Sequence, residues 1–74
     1  MIAIQGFKSS KDSVFLILDL KGINEMIEYL NFLKEKDSSM HLNQGNELSS
    51  DIRDIEDDMY LIPHMKIINI DKIG

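Results

Sequence analysis

The sequence has no cysteine and no tryptophan, and it contains one proline and four glycines in 74 residues. Without cysteine there is no disulfide framework, no thiolate nucleophile and no thiolate zinc site, which favours the reducing cytoplasm. The longest apolar run, residues 14–18, has five residues, whereas a membrane-spanning helix needs about 20. The first residues also lack the basic start and the long apolar stretch of a secretory signal. We therefore expect a cytoplasmic protein without a membrane segment.

Basic side chains are scarce as well, with 8 lysines and arginines against 13 aspartates and glutamates. Nucleic acid is disfavoured as a ligand because phosphate binding needs a basic patch, and Lys8 with Lys11 in one turn is too little. The sequence has neither a glycine-rich phosphate-binding loop nor the Gly-x-Ser-x-Gly pattern of a nucleophile elbow. These absences favour a protein that is not an enzyme, with no catalytic residue and no cofactor.

The remaining composition is that of a folded chain. Hydrophobic residues make up 43% of the sequence, enough to offset the conformational entropy that folding removes. A chain this short buries only about 60% of the surface that it exposes when unfolded, so its fold must be compact. Composition therefore predicts a single domain over residues 1–74.

Two strands and a turn are predicted in the N-terminal part. Residues 2–7 alternate as a strand does, and residues 8–13 are all polar, which is typical of a turn. The most apolar stretch, residues 14–20, predicts a second strand with both faces at least partly covered. We therefore expect a hairpin whose second strand is central in the sheet.

The pattern then changes to that of a helix followed by two short strands. Apolar residues recur at spacings of three and four, at Ile23, Met26, Ile27, Leu30 and Leu33. This periodicity predicts an amphipathic helix over about residues 23–36, with Gly22 as its N-cap. Further strands are predicted at 40–43 and 65–71.

The order of these elements, β-β-α-β-β, predicts an α+β fold. We expect a small four-stranded, mainly antiparallel sheet with the one amphipathic helix packed on one face. Residues 46–60 are the least regular part, although Ile52, Ile55 and Met59 have helical spacing and allow a turn or two of helix.

Residues 47–58 form an acidic segment that accounts for the whole formal net charge of −5. Its one basic residue is Arg53, and its acidic residues are Glu47, Asp51, Asp54, Glu56, Asp57 and Asp58. Charge concentrated in this way steers association with a basic partner, so these six carboxylates are candidate partner-binding residues. One alternative is a hydrated segment that keeps a small protein soluble. Another is a calcium site, which the lack of an EF-hand pattern disfavours.

Four apolar side chains exceed what one helix on one sheet covers. Tyr29 and Phe32 lie beside the main stripe of the predicted helix, and Phe15 and Ile17 lie on the far face of the second strand. A surplus of this kind favours a homodimer or a partner surface, so the four residues are a candidate apolar interface.

His41 and His64 are the only side chains whose unperturbed titration falls near neutral pH. A zinc site requires them to converge with a carboxylate, because no cysteine is available. Each histidine lies in or beside a predicted strand, and sequence alone does not show that they converge. We therefore predict no metal site.

Several short motifs resemble the immunity protein 32 family of bacterial polymorphic-toxin systems. They are Leu-Asp-Leu-Lys-Gly-Ile at 18–23, the amphipathic helix, Met-His-Leu-Asn at 40–43, Leu61, and His-Met-Lys-Ile-Ile at 64–68. In that family a strand leads through a glycine into a helix, a histidine-containing strand follows, and a leucine precedes a final isoleucine-rich strand. The likeness covers about residues 4–71. The chain departs from the family in having a single histidine, His41, in the middle strand and a longer acidic segment.

The resemblance implies a bacterial cytoplasmic protein that binds and neutralises a cognate toxin. Such toxins are often basic nucleases, so residues 51–58 would occupy the site where nucleic-acid phosphate binds. The competing interpretation is a small homodimeric binding or regulatory module of unknown ligand, with the uncovered sheet face as its dimer surface. An enzyme is the third and least favoured reading.

Overall fold

A computed structural model describes residues 1–51 and 57–73. In this part the chain forms five strands and two helices. In chain order they are β1 (Ile2–Phe7), β2 (Val14–Leu18), α1 (Leu20–Glu35), β3 (Ser39–Asn43), β4 (Met59–Leu61), β5 (His64–Ile68) and α2 (Ile70–Ile73). The predicted α+β class and the β-β-α-β-β order are confirmed, with β4 as an additional strand.

The first sheet has the strand order β2-β1-β4, and both pairings are antiparallel. β1 is therefore the central strand, and its residues 2–6 are all buried. β2 lies at the edge, where Val14 is 64% exposed. The prediction that residues 14–20 form a central strand is wrong because β4, from much further along the chain, occupies the second edge of β1.

The second sheet consists of β3 and β5, paired antiparallel from Ser39↔Ile68 to Asn43↔His64. The predicted single sheet is thus divided into two. Residues 46–60, expected to be irregular or helical, contribute β4 at Met59; Ile52 and Ile55 lie outside the described residues.

α1 begins at Leu20, three residues before the predicted start, and Asp19 is its N-cap. The Gly22 amide donates a hydrogen bond of 2.7 Å to Asp19 Oδ1, which satisfies a backbone donor of the first turn. Gly22 is therefore inside the helix rather than its cap. A Cβ there would lie 1.9 Å from the Met1 carbonyl oxygen, so only glycine allows the helix to pass this close to the start of the chain.

The two sheets and the helix share one core. Its buried residues are Ile2, Ile4, Leu42 and Leu48, and Met26 and Tyr29 of α1 pack against them. Gly22 and Leu33 are the buried residues of the helix. Ile23, Ile27 and Leu30, predicted to be in the core stripe, are 42–51% exposed because the helix packs through a neighbouring stripe.

The last strand ends earlier than the predicted residue 71, because Asn69 turns the chain. Its amide donates to the Ser38 carbonyl (2.8 Å), and its Nδ2 donates to the Leu33 carbonyl (2.9 Å). Asn69 Oδ1 accepts from the Asp71 amide at 3.1 Å, which starts α2. None of the helices in the described part of the chain is long and apolar enough to cross a membrane.

Candidate functional site

The acidic segment is attached to β1 at both of its described ends. Near its start, the Ser49 amide donates to the Ile2 carbonyl at 2.7 Å; at its end, the Lys8 amide donates to the Asp58 carbonyl at 2.7 Å. Ile2 and Lys8 are separated by about 20 Å of extended chain. The described ends of the segment therefore lie apart, toward opposite ends of β1. Asp54 and Glu56 lie outside the described residues.

Two of the six predicted carboxylates hold local structure. Asp58 accepts hydrogen bonds from the Ser9 amide (2.9 Å) and from the Ser9 hydroxyl, so it fixes the turn between β1 and β2. Glu47 Oε1 accepts from the Asn43 amide at 2.9 Å and fixes the loop after β3. That loop passes through Gly45, whose φ of +88° is a conformation that favours glycine. Asp51 and Asp57 are exposed.

A shallow cleft of about 380 Å³ lies between the first turns of α1 and the loop after β3. It is lined by Met1, Ile2, Lys21, Glu25 and residues 45–51. Three of these residues carry carboxylates (Glu25, Glu47 and Asp51), and two carry ammonium groups: the Lys21 side chain and the Met1 amino group, which is paired with Asp19. We call this feature the acidic cleft.

The phenol of Tyr29 lies near carboxylates of both α1 and the loop after β3. Burial raises the pKa of the Tyr29 hydroxyl above its ordinary value of 10.0, and the negative charges of Glu25, Glu47 and Glu28 raise it further. Glu47 was predicted from its place in the acidic segment. Glu25 and Glu28 were not predicted as part of this site, because the sequence gives no sign that the loop after β3 folds back toward α1.

Among residues 1–51 and 57–73, the only ion pair joins the Met1 amino group to Asp19 Oδ1 at 2.5 Å. This contact is the main cause that lowers the pKa of Asp19, and the Gly22 amide is the next. The carboxylates that line the acidic cleft therefore form no ion pair with a described cation. Carboxylates on a concave surface attract cationic side chains and accept charge-assisted hydrogen bonds from arginine and lysine.

The candidate apolar residues are divided between two faces of the first sheet. Tyr29 packs against the core, whereas Phe15 and Ile17 lie on the opposite face. We call this opposite face the outer sheet face; the strand register places on it Ala3, Gln5, Phe7, Phe15, Ile17, Met59 and Leu61. The rings of Phe7 and Phe15 meet edge to face at 4.8 Å between centroids. Phe32 is 44% exposed on α1.

Phe7, Met59 and Leu61 were missed as members of the outer sheet face. The alternation of residues 2–7 places Phe7 on the same face of β1 as Gln5, but the pairing of β1 with β4 has no local sequence signal. The residues that pack against the core all come from the other side of the sheet or from other elements. The outer sheet face is thus an apolar side of the sheet that lies outside the main core cluster; its β1 residues Ala3 and Gln5 are buried, and Phe15 is exposed.

Comparison of the chain with protein-family models, with curated proteins and with solved structures gives no match.

Proposed function

We propose that this protein is a non-catalytic cytoplasmic inhibitor, of the bacterial immunity type, that binds and neutralises a basic protein toxin. The observation that carries the proposal is the position of the net charge. The whole formal charge of −5 falls in the acidic segment, and hydrogen bonds hold the described ends of that segment along β1. Carboxylates on a segment whose described ends are held along β1 suit a partner whose own site binds phosphate, because they carry the same sign of charge as phosphate.

Two further features support binding of a protein. The acidic cleft adds Glu25 to the carboxylates Glu47 and Asp51, in a concavity that fits a lysine or arginine side chain. The outer sheet face supplies apolar area, with Phe15 exposed on it. Protein interfaces combine an apolar centre with a polar rim, and charge complementarity mainly raises the association rate.

The test compares two variants of equal net charge. One replaces Asp51, Asp54, Glu56 and Asp57 by the corresponding amides, and the control replaces Asp12, Glu35, Asp37 and Asp71 in the same way. Asp58 and Glu47 are left intact because they hold the hairpin turn and the loop. The partner is first isolated from host lysate with the tagged chain at low salt and identified by mass spectrometry. Association of the purified pair is then followed by stopped flow.

We expect the first variant to associate at least tenfold more slowly than the control at low salt, and to lose most of its salt dependence, on the order expected for electrostatic steering. The chain must also abolish the partner's activity at a one-to-one ratio. Equal association rates for the two variants would remove the acidic segment from the mechanism. A partner that keeps its activity when bound would refute inhibition.

The outer sheet face favours a second candidate function, a small homodimeric binding or regulatory module. Its centre is Phe15, which is 52% exposed and flanked by Phe7. If two copies pair through this face, Phe15→Lys converts the dimer to a monomer, while Lys11→Glu in the adjoining turn does not. Sedimentation velocity over a range of protein concentrations measures this directly. A wild-type chain that stays monomeric throughout would exclude the module.

A further inference from the structure

The structure brings together the two histidines of the chain on the second sheet. In the β3–β5 register His41 lies opposite Lys66, and Asn43 lies opposite His64, so the two histidines are diagonal neighbours on one face. Met40, Leu42, Met65 and Ile67 belong to or pack against the core, which places His41 and His64 on the outward face. Both side chains are exposed.

Their ring nitrogens are in direct contact. His41 Nδ1 and His64 Nε2 are 2.7 Å apart, with the ring centroids 5.0 Å apart and the ring planes at 27°. One nitrogen must carry the proton and donate it to the lone pair of the other, so the two rings hold a single proton between them at this contact. Because each histidine is on a paired strand, the backbone keeps the two side chains within reach of each other.

The spacing is close to that of two imidazole ligands on one metal ion. Zinc–nitrogen bonds of about 2.0–2.1 Å place two adjacent ligand nitrogens about 3 Å apart in a tetrahedral or square arrangement. Removing the shared proton leaves two lone pairs, and small rotations of the exposed rings direct both at one point. The pairing of β3 with β5 thus brings the two imidazoles close enough to bind one metal ion.

We propose that His41 Nδ1 and His64 Nε2 form a two-histidine site for a divalent transition-metal ion that accepts imidazole, such as Zn²⁺, Ni²⁺ or Cu²⁺. Among the residues that the structure describes, no group of three or more histidine and carboxylate ligands forms. The ion therefore completes its coordination with water, and binding is that of an open, exchangeable site rather than of a closed structural one.

The neighbours on the same face determine how strongly the site binds. The ammonium group of Lys66 projects from the position opposite His41 and opposes a second positive charge. Replacing Lys66 by Gln therefore tightens metal binding. This increase is expected of a site on the second sheet, where Lys66 lies opposite His41.

The experiment uses the full chain, freed of metal with a chelator and titrated with ZnCl₂. Calorimetry measures affinity, and NMR follows the ring protons of both histidines. We expect one ion per chain, with the signals of His41 and His64 both shifting. We expect His41→Gln and His64→Gln each to weaken binding by about tenfold or more, because the second ligand binds intramolecularly. Lys66→Gln should bind more tightly than the wild-type chain.

Several outcomes would overturn the proposal. They are the absence of saturable zinc binding, a shift confined to one histidine, or unchanged affinity in either glutamine variant. Displacement of zinc by Ca²⁺ would also do so, because a hard cation prefers the carboxylates of the acidic segment. The NMR readout on the wild-type chain does not depend on how well any variant folds.

Discussion

Gly22 determines how closely α1 approaches the beginning of β1. Its position leaves no room for a Cβ, which would lie 1.9 Å from the Met1 carbonyl oxygen. Alanine normally stabilises a helix interior by about 1 kcal/mol relative to glycine. Here the clash with backbone outweighs that gain, since neither the strand nor the helix can move without disturbing the core.

We therefore expect Gly22→Ala to lower the free energy of unfolding by about 1–3 kcal/mol, the usual cost of overpacking. Urea unfolding followed by circular dichroism measures the change. Asn24→Ala is the matched control, because Asn24 is exposed on the same helix and its replacement should stabilise slightly. Stabilisation by both substitutions would show that there is room for a Cβ between α1 and the Met1 carbonyl group.

Asp19 links three parts of this junction through one carboxylate. It accepts from the Gly22 amide and pairs with the Met1 amino group, and these two contacts lower its pKa below the ordinary value of 3.8. A lowered pKa means that the unfolded chain binds the proton more readily. The stabilisation is thus present above pH 3.8 and is lost as the pH falls through the lower, folded-state value.

Asp19→Asn should remove this acid dependence. Asparagine still caps a helix, so the substituted chain keeps the cap and loses the charge contact. Urea midpoints measured at successive pH values below 5 should fall less steeply with acidification than those of the wild-type chain. Asp12→Asn, in the exposed turn, should leave the wild-type profile unchanged. Identical profiles for all three chains would assign the acid sensitivity to other groups.

Among the elements, β2 is unusual in being both apolar and at the edge of a sheet. Val14, Phe15 and Leu16 are 50–64% exposed, and the strand contains no charge and no proline. Edge strands of soluble proteins are commonly guarded by a lysine, a proline or a bulge, because their free backbone groups pair with other chains. β2 contains neither a charged residue nor a proline, so we expect the protein to self-associate through this strand at high concentration.

Val14→Lys should raise the concentration at which the protein aggregates and change the free energy of unfolding by no more than about 0.5 kcal/mol. Ile4→Ala, on the buried neighbouring strand, should instead cost about 2–5 kcal/mol. Light scattering measures aggregation, and urea unfolding measures the free energy of unfolding of each variant. A large loss of stability in Val14→Lys would mean that this edge is packed rather than exposed.

Sequence patterns located most elements but not their neighbours. The alternation of residues 2–7 and the helical spacing after residue 22 are local signals, and both elements form close to where they are predicted. β4 has only three residues, which is too short to show a period, so neither the strand nor the edge position of β2 was predictable. The helix start was misplaced because residues 19 and 20 continue the apolar alternation of the strand and were assigned to it.

At the scale of the whole molecule, Leu42 and Leu48 connect the two sheets. Both are at most 2% exposed, and they form one cluster with Ile2 and Ile4 of the first sheet. Leu48 lies in the loop after β3 and not in a strand or helix, yet it contributes as much to the core as a strand residue.

Leu48→Ala should lower the free energy of unfolding by about 2–5 kcal/mol, a large share of the stability of a small domain. Because the core is shared, both sheets should unfold in one transition, with tyrosine fluorescence and far-ultraviolet circular dichroism giving the same midpoint. Leu20→Ala, at a position that is 74% exposed, is the control and should have little effect. Two separate midpoints would indicate that the sheets are independent.

The candidate site was predictable in charge but not in shape. Counting charges located the acidic segment, and this needed no structure. The different roles of these carboxylates depend on tertiary contacts. Asp58 accepts a hydrogen bond from Ser9, Glu47 accepts one from the Asn43 amide, and Glu25 of α1 lines the acidic cleft. The meeting of His41 with His64 likewise depends on the β3–β5 register, which no local pattern specifies.

The pairing of β1 with β4 also affects how the protein is made. β1 leaves the ribosome first, and its hairpin with β2 can form at once because their contacts are local. Its other edge has no partner until residues 59–61 have been synthesised. Non-local pairing slows folding and leaves strand edges open to aggregation in the meantime. Until residues 59–61 are available, the nascent hairpin therefore carries an open sheet edge, which chaperone binding would protect.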